Sequence, residues 1–207
     1  MQLNLTAGPL ALFALVASIT PGPNNFLLMR SGARFGVRRS ASHMLGIQAG
    51  FLGLLLLSHL GVGALLLAIP FAMTLLRWSC FSYLLWLAFV IVLEARRETI
   101  GATSPEAIAP AAQPMTFVEA VLFQLINPKA WMMTLTAVSG FHGGAAPSWL
   151  DLAAMAIICV SIGSTSMLIW TVWGAGIHRL LQNPRARQVF GYSMAALVVA
   201  TAFWMLR

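Results

Sequence analysis

The sequence predicts an all-α integral membrane protein. Six transmembrane helices form two inverted three-helix repeats, with helices 1 and 4 broken at prolines. Three observations carry this expectation. Of 207 residues, 59% are hydrophobic and only 8% charged, with a mean hydropathy of +0.85, whereas a soluble domain carries roughly 25% charged residues. Apolar runs of bilayer-spanning length recur along the chain. Basic residues gather in every second connection, the pattern that sets membrane orientation.

The first span is expected over residues 5–29, followed by a basic loop with Arg30, Arg34, Arg38 and Arg39. The second covers 41–69, long enough to tilt or to project beyond the hydrocarbon. Pro70 marks a tight turn into the third, 71–93. Residues 1–94 form the first repeat and residues 95–114, with Arg96, Arg97, Pro105, Pro110 and Pro114, a cytoplasmic linker. The second repeat, 115–207, holds a fourth span at 115–138, a turn with His142, Gly143, Gly144 and Pro147, and a fifth span at 149–176. A basic segment with His178, Arg179, Arg185 and Arg187 leads to the sixth, 189–206.

Nine of the twelve basic residues fall in the first loop, the linker and the fifth loop, all on one side of the bilayer. By the positive-inside rule that side is cytoplasmic and both termini lie outside. Three spans per half make the halves enter the membrane in opposite directions, so the first and fourth spans become equivalent. The net charge of +7 is accounted for by these clusters, and nucleic acid is not expected as a partner. Cys80 and Cys159 lie inside apolar spans as small hydrophobes, with no disulfide framework. The N-terminus reads as a retained first span, without the basic region and cleavage site of a signal peptide.

The two equivalent spans share a disruption. Thr20-Pro21-Gly22-Pro23-Asn24-Asn25 sits in the middle of the first, and Asn127-Pro128-Lys129 in the fourth. A proline removes an N–H and clashes with the preceding turn, so each helix must kink or open. Irregular backbone at membrane depth survives only where protein or a water-filled cavity surrounds it. Paired broken helices build the binding sites of transporters. Pro21, Gly22, Pro23 and Pro128 therefore shape the breaks, and Asn24, Asn25, Gln124, Asn127 and Lys129 are the residues expected to bind substrate.

Lys129 is the strongest single signal. A cation deep in a span costs about 2.5–3.5 kcal/mol on insertion scales. It either snorkels to the nearer interface or faces a polar cavity, toward a substrate carboxylate or a carbonyl at the break. Asn24 and Asn25 are expected to cap a half-helix, whose positive end could also receive a carboxylate. Glu119 would stand at the interface or carry a proton. Ser58 and His59 resemble a hydrolase pair but lack an acidic orienter, and no metal-ligand, P-loop or dinucleotide motif is present. No enzyme, cofactor or metal is expected. Gly46, Gly50 and Gly53 lie on one face of the second span, and their G-x-x-x-G match argues packing within the fold more than dimerisation, leaving a homo-oligomer open.

Thr20-Pro21-Gly22-Pro23-Asn24-Asn25, Gly36, Leu45-Gly46-Ile47 with Gly50, Tyr83-Leu84, Asn127-Pro128-Lys129-Ala130 and Phe141 resemble the LysE/RhtB amino-acid exporters over nearly the whole chain. The T-P-G-P-N-N run is similar to that of the cysteine/O-acetylserine exporter branch. The resemblance implies a multi-pass protein of the bacterial inner membrane, with the lipid bilayer and an amino-acid substrate as partners. It implies proton-coupled export of small neutral amino acids or derivatives such as cysteine, O-acetylserine, homoserine or threonine. Where some relatives carry an acid just after the second glycine of the G-x-x-x-G run, this chain has Phe51, which leaves Glu119 as the nearest acid for coupling. The rival readings are a small-solute channel and a non-transporting membrane scaffold.

Overall fold

Proline and glycine decide where the helices stop. The computed structural model describes residues 5–100, 113–141, 147–180 and 183–206. The helices are α1 (Ala7–Ile19), α2 (Pro23–Arg39), α3 (Ala41–His59), α4 (Val62–Ala68), α5 (Pro70–Ile100), α6 (Phe117–Ile126), α7 (Pro128–Gly140), α8 (Trp149–Leu180) and α9 (Pro184–Met205). Both expected breaks are present. Pro23 opens α2 and Pro128 opens α7, each at the first helical position, where the missing N–H costs nothing. The axes of α1 and α2 differ by 56° across the first break.

Among the described residues, three helices are long and apolar enough to cross a membrane, Ala41–His59, Phe71–Arg96 and Trp149–Ile177, and the bent pair α1–α2, taken as one span, makes a fourth. Phe117–Ile126 and Gln188–Trp204 are apolar but shorter. Large apolar side chains stand on the outer surface, Leu12 at 64% and Ile157 at 68% exposure among them, which suits lipid contact and not water. Trp78, Trp86, Trp149, Trp173 and Trp204 are exposed on that surface, whereas Trp131 and Trp170 pack inside.

Several boundaries differ from those expected. The second span is not continuous to residue 69: Gly61 adopts φ +86 and turns the chain between α3 and α4. A left-handed residue ends a helix whatever the hydropathy around it. The basic segment after residue 29 is helical, because α2 runs on to Arg39 with a kink at Gly36 (φ +77). The third-span helix continues past residue 93 to Ile100. Glu94 rewards that extension by pairing with Arg30, whose Nη2 lies 2.9 and 2.8 Å from its two carboxylate oxygens, and with Arg34. The pairs tie the first basic segment to the end of the first repeat. Most of the expected linker, and His142, Gly143 and Gly144 of the turn after the fourth span, lie outside the described residues.

The main helix contacts join the two halves of the chain: α2 packs on α8, α5 on α9, α3 on α6 and α1 on α8. Glycine makes these contacts close. A Cβ on Gly32 would lie 2.0 Å from the Thr171 carbonyl oxygen, and one on Gly174 2.0 Å from that of Met29, so α2 and α8 meet backbone to backbone. Gly46 and Gly50 do the same for α3 against α6, with Phe117 O at 2.4 Å and Gln124 Cγ at 2.5 Å from their notional Cβ atoms. Gly53 faces open space and takes no part. The G-x-x-x-G run is thus an internal packing face.

Candidate functional site

A broken helix frees carbonyls at the end of its first half and N–H groups at the start of its second. At the first break the freed carbonyls are claimed by side chains from three places. Asn25 Nδ2 donates to Ser18 O at 2.8 Å and to Thr20 O at 2.9 Å. Ser166 Oγ of α8 donates to Ser18 O at 2.9 Å. Lys129 Nζ reaches across from α7 to Thr20 O at 2.7 Å and Pro21 O at 3.5 Å. The ammonium therefore rests on the negative end of the α1 dipole. Of the alternatives for Lys129, the structure has the one in which it faces carbonyls at the break.

Gly22 makes this approach possible. Its backbone is extended, which any residue adopts, so the requirement is space: a Cβ there would lie 2.9 Å from Lys129 Nζ and 3.0 Å from Cδ. The expectation that Asn24 and Asn25 cap α2 is corrected. Gly22 is the N-cap and no side chain caps it. Asn25 turns back to the end of α1, where freed acceptors need donors in an apolar surround. Asn24 turns to the other break: its Nδ2 donates to Gln124 Oε1 at 2.9 Å, and Gln124 Nε2 donates to Asn24 Oδ1 at 3.2 Å. Gln124, fully buried, also donates to Ala120 O at 3.1 Å.

The second break is satisfied in its own way. Asn127 Oδ1 accepts from Lys129 N at 3.1 Å as the N-cap of α7, and Trp131 Nε1 donates to Leu125 O at 3.0 Å near the end of α6. Between the breaks is a cavity of about 70 Å³, whose lining includes Ser18, Gly22, Asn24, Gln48, Asn127 and Lys129. A cavity of this size has room for several waters or one small polar group, at about 10–15 Å³ of such volume per water.

Five of the residues expected at the site meet here: Asn24, Asn25, Asn127 and Lys129 line the cavity, and Gln124 supports Asn24 from behind. Glu119 does not. Its carboxylate accepts from Thr116 N at 2.8 Å and Thr116 Oγ1 at 2.9 Å, and its own N–H donates back to Thr116 Oγ1 at 3.3 Å, a capping box that starts α6. It is exposed, on the wall of a second, larger cavity. Gln48 is an addition that the sequence alone did not suggest. Its Nε2 donates to Val160 O at 3.0 Å and Ser164 Oγ at 2.7 Å while its side chain lines the small cavity. Its signal was a lone amide in an apolar span. Ser58 and His59 do not form a pair: Ser58 Oγ donates to Thr134 Oγ1 at 3.0 Å and the His59 ring packs on Trp149.

The model of the LysE type translocator family matches residues 15–206. The chain belongs to this family. As a LysE type translocator it is a transport protein and not a member of an enzyme family, and it is integral to the bacterial inner membrane. It is 31% identical over 174 residues to the cysteine/O-acetylserine efflux protein of Escherichia coli K12, covering 83% of each chain. The protein of the same description from Shigella flexneri matches equally. An uncharacterized membrane protein of Vibrio cholerae serotype O1 is 26% identical over 197 residues, 92% of this translocator and 94% of the relative. No solved structure matches the chain.

Proposed function

We propose that this translocator exports small neutral amino acids or their derivatives, cysteine and O-acetylserine foremost, from the cytoplasm by proton-coupled alternating access. The observation that carries the reading is the Lys129 ammonium seated on the Thr20 and Pro21 carbonyls, across two facing helix breaks. An α-amino acid carries the same cation and, one carbon away, a carboxylate. Its ammonium suits the carbonyls that Lys129 now holds. Its carboxylate suits Lys129 itself and the N-terminal N–H groups of α2. Substrate and lysine would thus exchange partners, and a site emptied of substrate closes on its own cation.

The packing supports six spans as two inverted halves. Taking α1–α2 as the first span and α6–α7 as the fourth, the first packs on the fifth, the second on the fourth, and the third on the sixth. Exchanging the halves turns the first contact into the second and leaves the third unchanged, as a two-fold axis in the membrane plane requires.

Proteoliposomes holding only this protein, preloaded with unlabelled cysteine kept reduced, test the reading. Labelled cysteine should accumulate transiently against its gradient by counterflow. A channel would equilibrate without overshoot, and a scaffold would leave the label outside. Either result removes the proposal.

A further inference from the structure

We infer that His43 is the proton-binding group of this translocator, exchanging its proton through a second cavity that it shares with Glu119. The inference rests on the export reading above. His43 is on α3 and is 1% exposed, yet neither ring nitrogen has a hydrogen-bond partner. Buried polar side chains are nearly always paired, and an ionisable residue inside a membrane span that faces a cavity marks an ion or proton path. His43 faces such a cavity, of about 780 Å³. Its lining includes Arg30, Ser31, Thr116 and Glu119, and it has room for water beside the imidazole, whose two nitrogens are themselves covered by the packing.

Among the described residues, the charged and titratable groups that line this cavity with His43 are Arg30 of α2, Tyr83 of α5 and Glu119 of α6, and those of α8, which also packs on α3, contribute none to it. Arg30 is committed to Glu94. Glu119 is held by Thr116 through hydrogen bonds that a carboxylate accepts and that its protonated form would weaken. That leaves the imidazole, whose two nitrogens hold no hydrogen bond, as the group that can gain and lose a proton without breaking a contact.

Its place suits coupling. The two cavities are stacked along the same helices. On α3, Ile47 and Gln48 line the small cavity and His43, one turn earlier, lines the large one. On α6 and α7, Glu119 and Phe123 line the large cavity, Gln124 holds Asn24, and Asn127 and Lys129 line the small one. A charge gained at His43 would thus lie one helical turn from the substrate cavity, on a helix that walls both.

The test uses the reconstituted full chain with reduced, labelled cysteine as probe. Two measurements are made: counterflow without a pH gradient, and accumulation into vesicles made acid inside. His43→Gln keeps a polar side chain but cannot titrate. It should retain counterflow and lose gradient-driven accumulation, which wild type shows. Accumulation equal to wild type in His43→Gln would overturn the inference. So would parallel loss of both activities in His43→Gln and His43→Asn, which would make His43 a packing residue, or a wild type that ignores the gradient. Failure of the export reading is seen separately, as absence of counterflow in the wild type.

Discussion

The ammonium of Lys129 lies 2.7 Å from the carbonyl oxygen of Thr20, so the cation of one broken helix neutralises the freed end of the other. Each break supplies what the other lacks. The first has carbonyls without intrahelical donors, and the second has a partly buried ammonium. Asn24 and Gln124 repeat the exchange in neutral form.

Because Lys129 lies against Gly22, the glycine is the most economical place to disturb the contact. A methyl group at residue 22 would meet Lys129 Nζ at 2.9 Å and Cδ at 3.0 Å. The lysine is flexible and can withdraw, so Gly22→Ala should fold and insert. It should also lose most export, since the ammonium no longer sits on Thr20 and Pro21. Normal protein levels with impaired counterflow is the expected result, and unimpaired counterflow would separate the Lys129–Thr20 contact from transport.

Gly32 and Gly174 should behave differently. The atoms that a Cβ would strike are backbone carbonyls of the facing helix at 2.0 Å, and these cannot withdraw without moving α2 from α8. Overpacking of a core costs about 1–3 kcal/mol and occasionally more. Gly32→Ala and Gly174→Ala should therefore lower the melting temperature in detergent or the yield of folded protein, whereas Gly53→Ala, in open space, should not.

The legible part of this fold is the part written in backbone chemistry. Pro21, Pro23 and Pro128 announce the breaks because a missing N–H acts wherever the residue stands. The partners of the freed groups were not legible. Asn25 reads as a cap for the helix it enters and in fact serves the helix it leaves, because only the tertiary arrangement sets which orphan group is nearer. Gly61 was hidden in a continuous apolar run, where hydropathy gives no sign of a positive φ. The third span reads as ending at residue 93, yet Arg30 and Arg34 hold Glu94 in a helix that runs on to Ile100. His43 carries no mark in the sequence, since burial without a partner is a property of the packing.

Orientation can be checked with cysteine labelling, and the background is low because Cys80 and Cys159 are both buried. Arg39 and Arg185 are exposed positions on the basic side, and Ser139 is exposed at the far end of α7. Arg39→Cys and Arg185→Cys should resist an impermeant thiol reagent in intact cells and react after permeabilisation. Ser139→Cys should react in intact cells. The reverse pattern would place the basic clusters outside and overturn the orientation.

Substitution of Lys129 itself discriminates most sharply. Lys129→Met removes a charge whose insertion costs about 2.5–3.5 kcal/mol at the helix centre, so membrane insertion should be as good as wild type or better. Export should nonetheless be abolished, because nothing then receives the substrate carboxylate. Lys129→Arg keeps the charge but replaces a compact ammonium with a planar fork. The space above Gly22, where Lys129 Nζ and Cδ lie 2.9 and 3.0 Å from the position of a notional Cβ, is matched to the narrower chain, and the wider guanidinium should be drawn away from Thr20 O. Little activity should remain in the arginine variant at matched protein levels. If the lysine only relieved its own burial at the α1 carbonyls, arginine would serve as well, since it carries more donors. Near-normal counterflow from Lys129→Arg would therefore reduce Lys129 to a structural cation and leave the substrate to Asn24, Gln48 and Asn127.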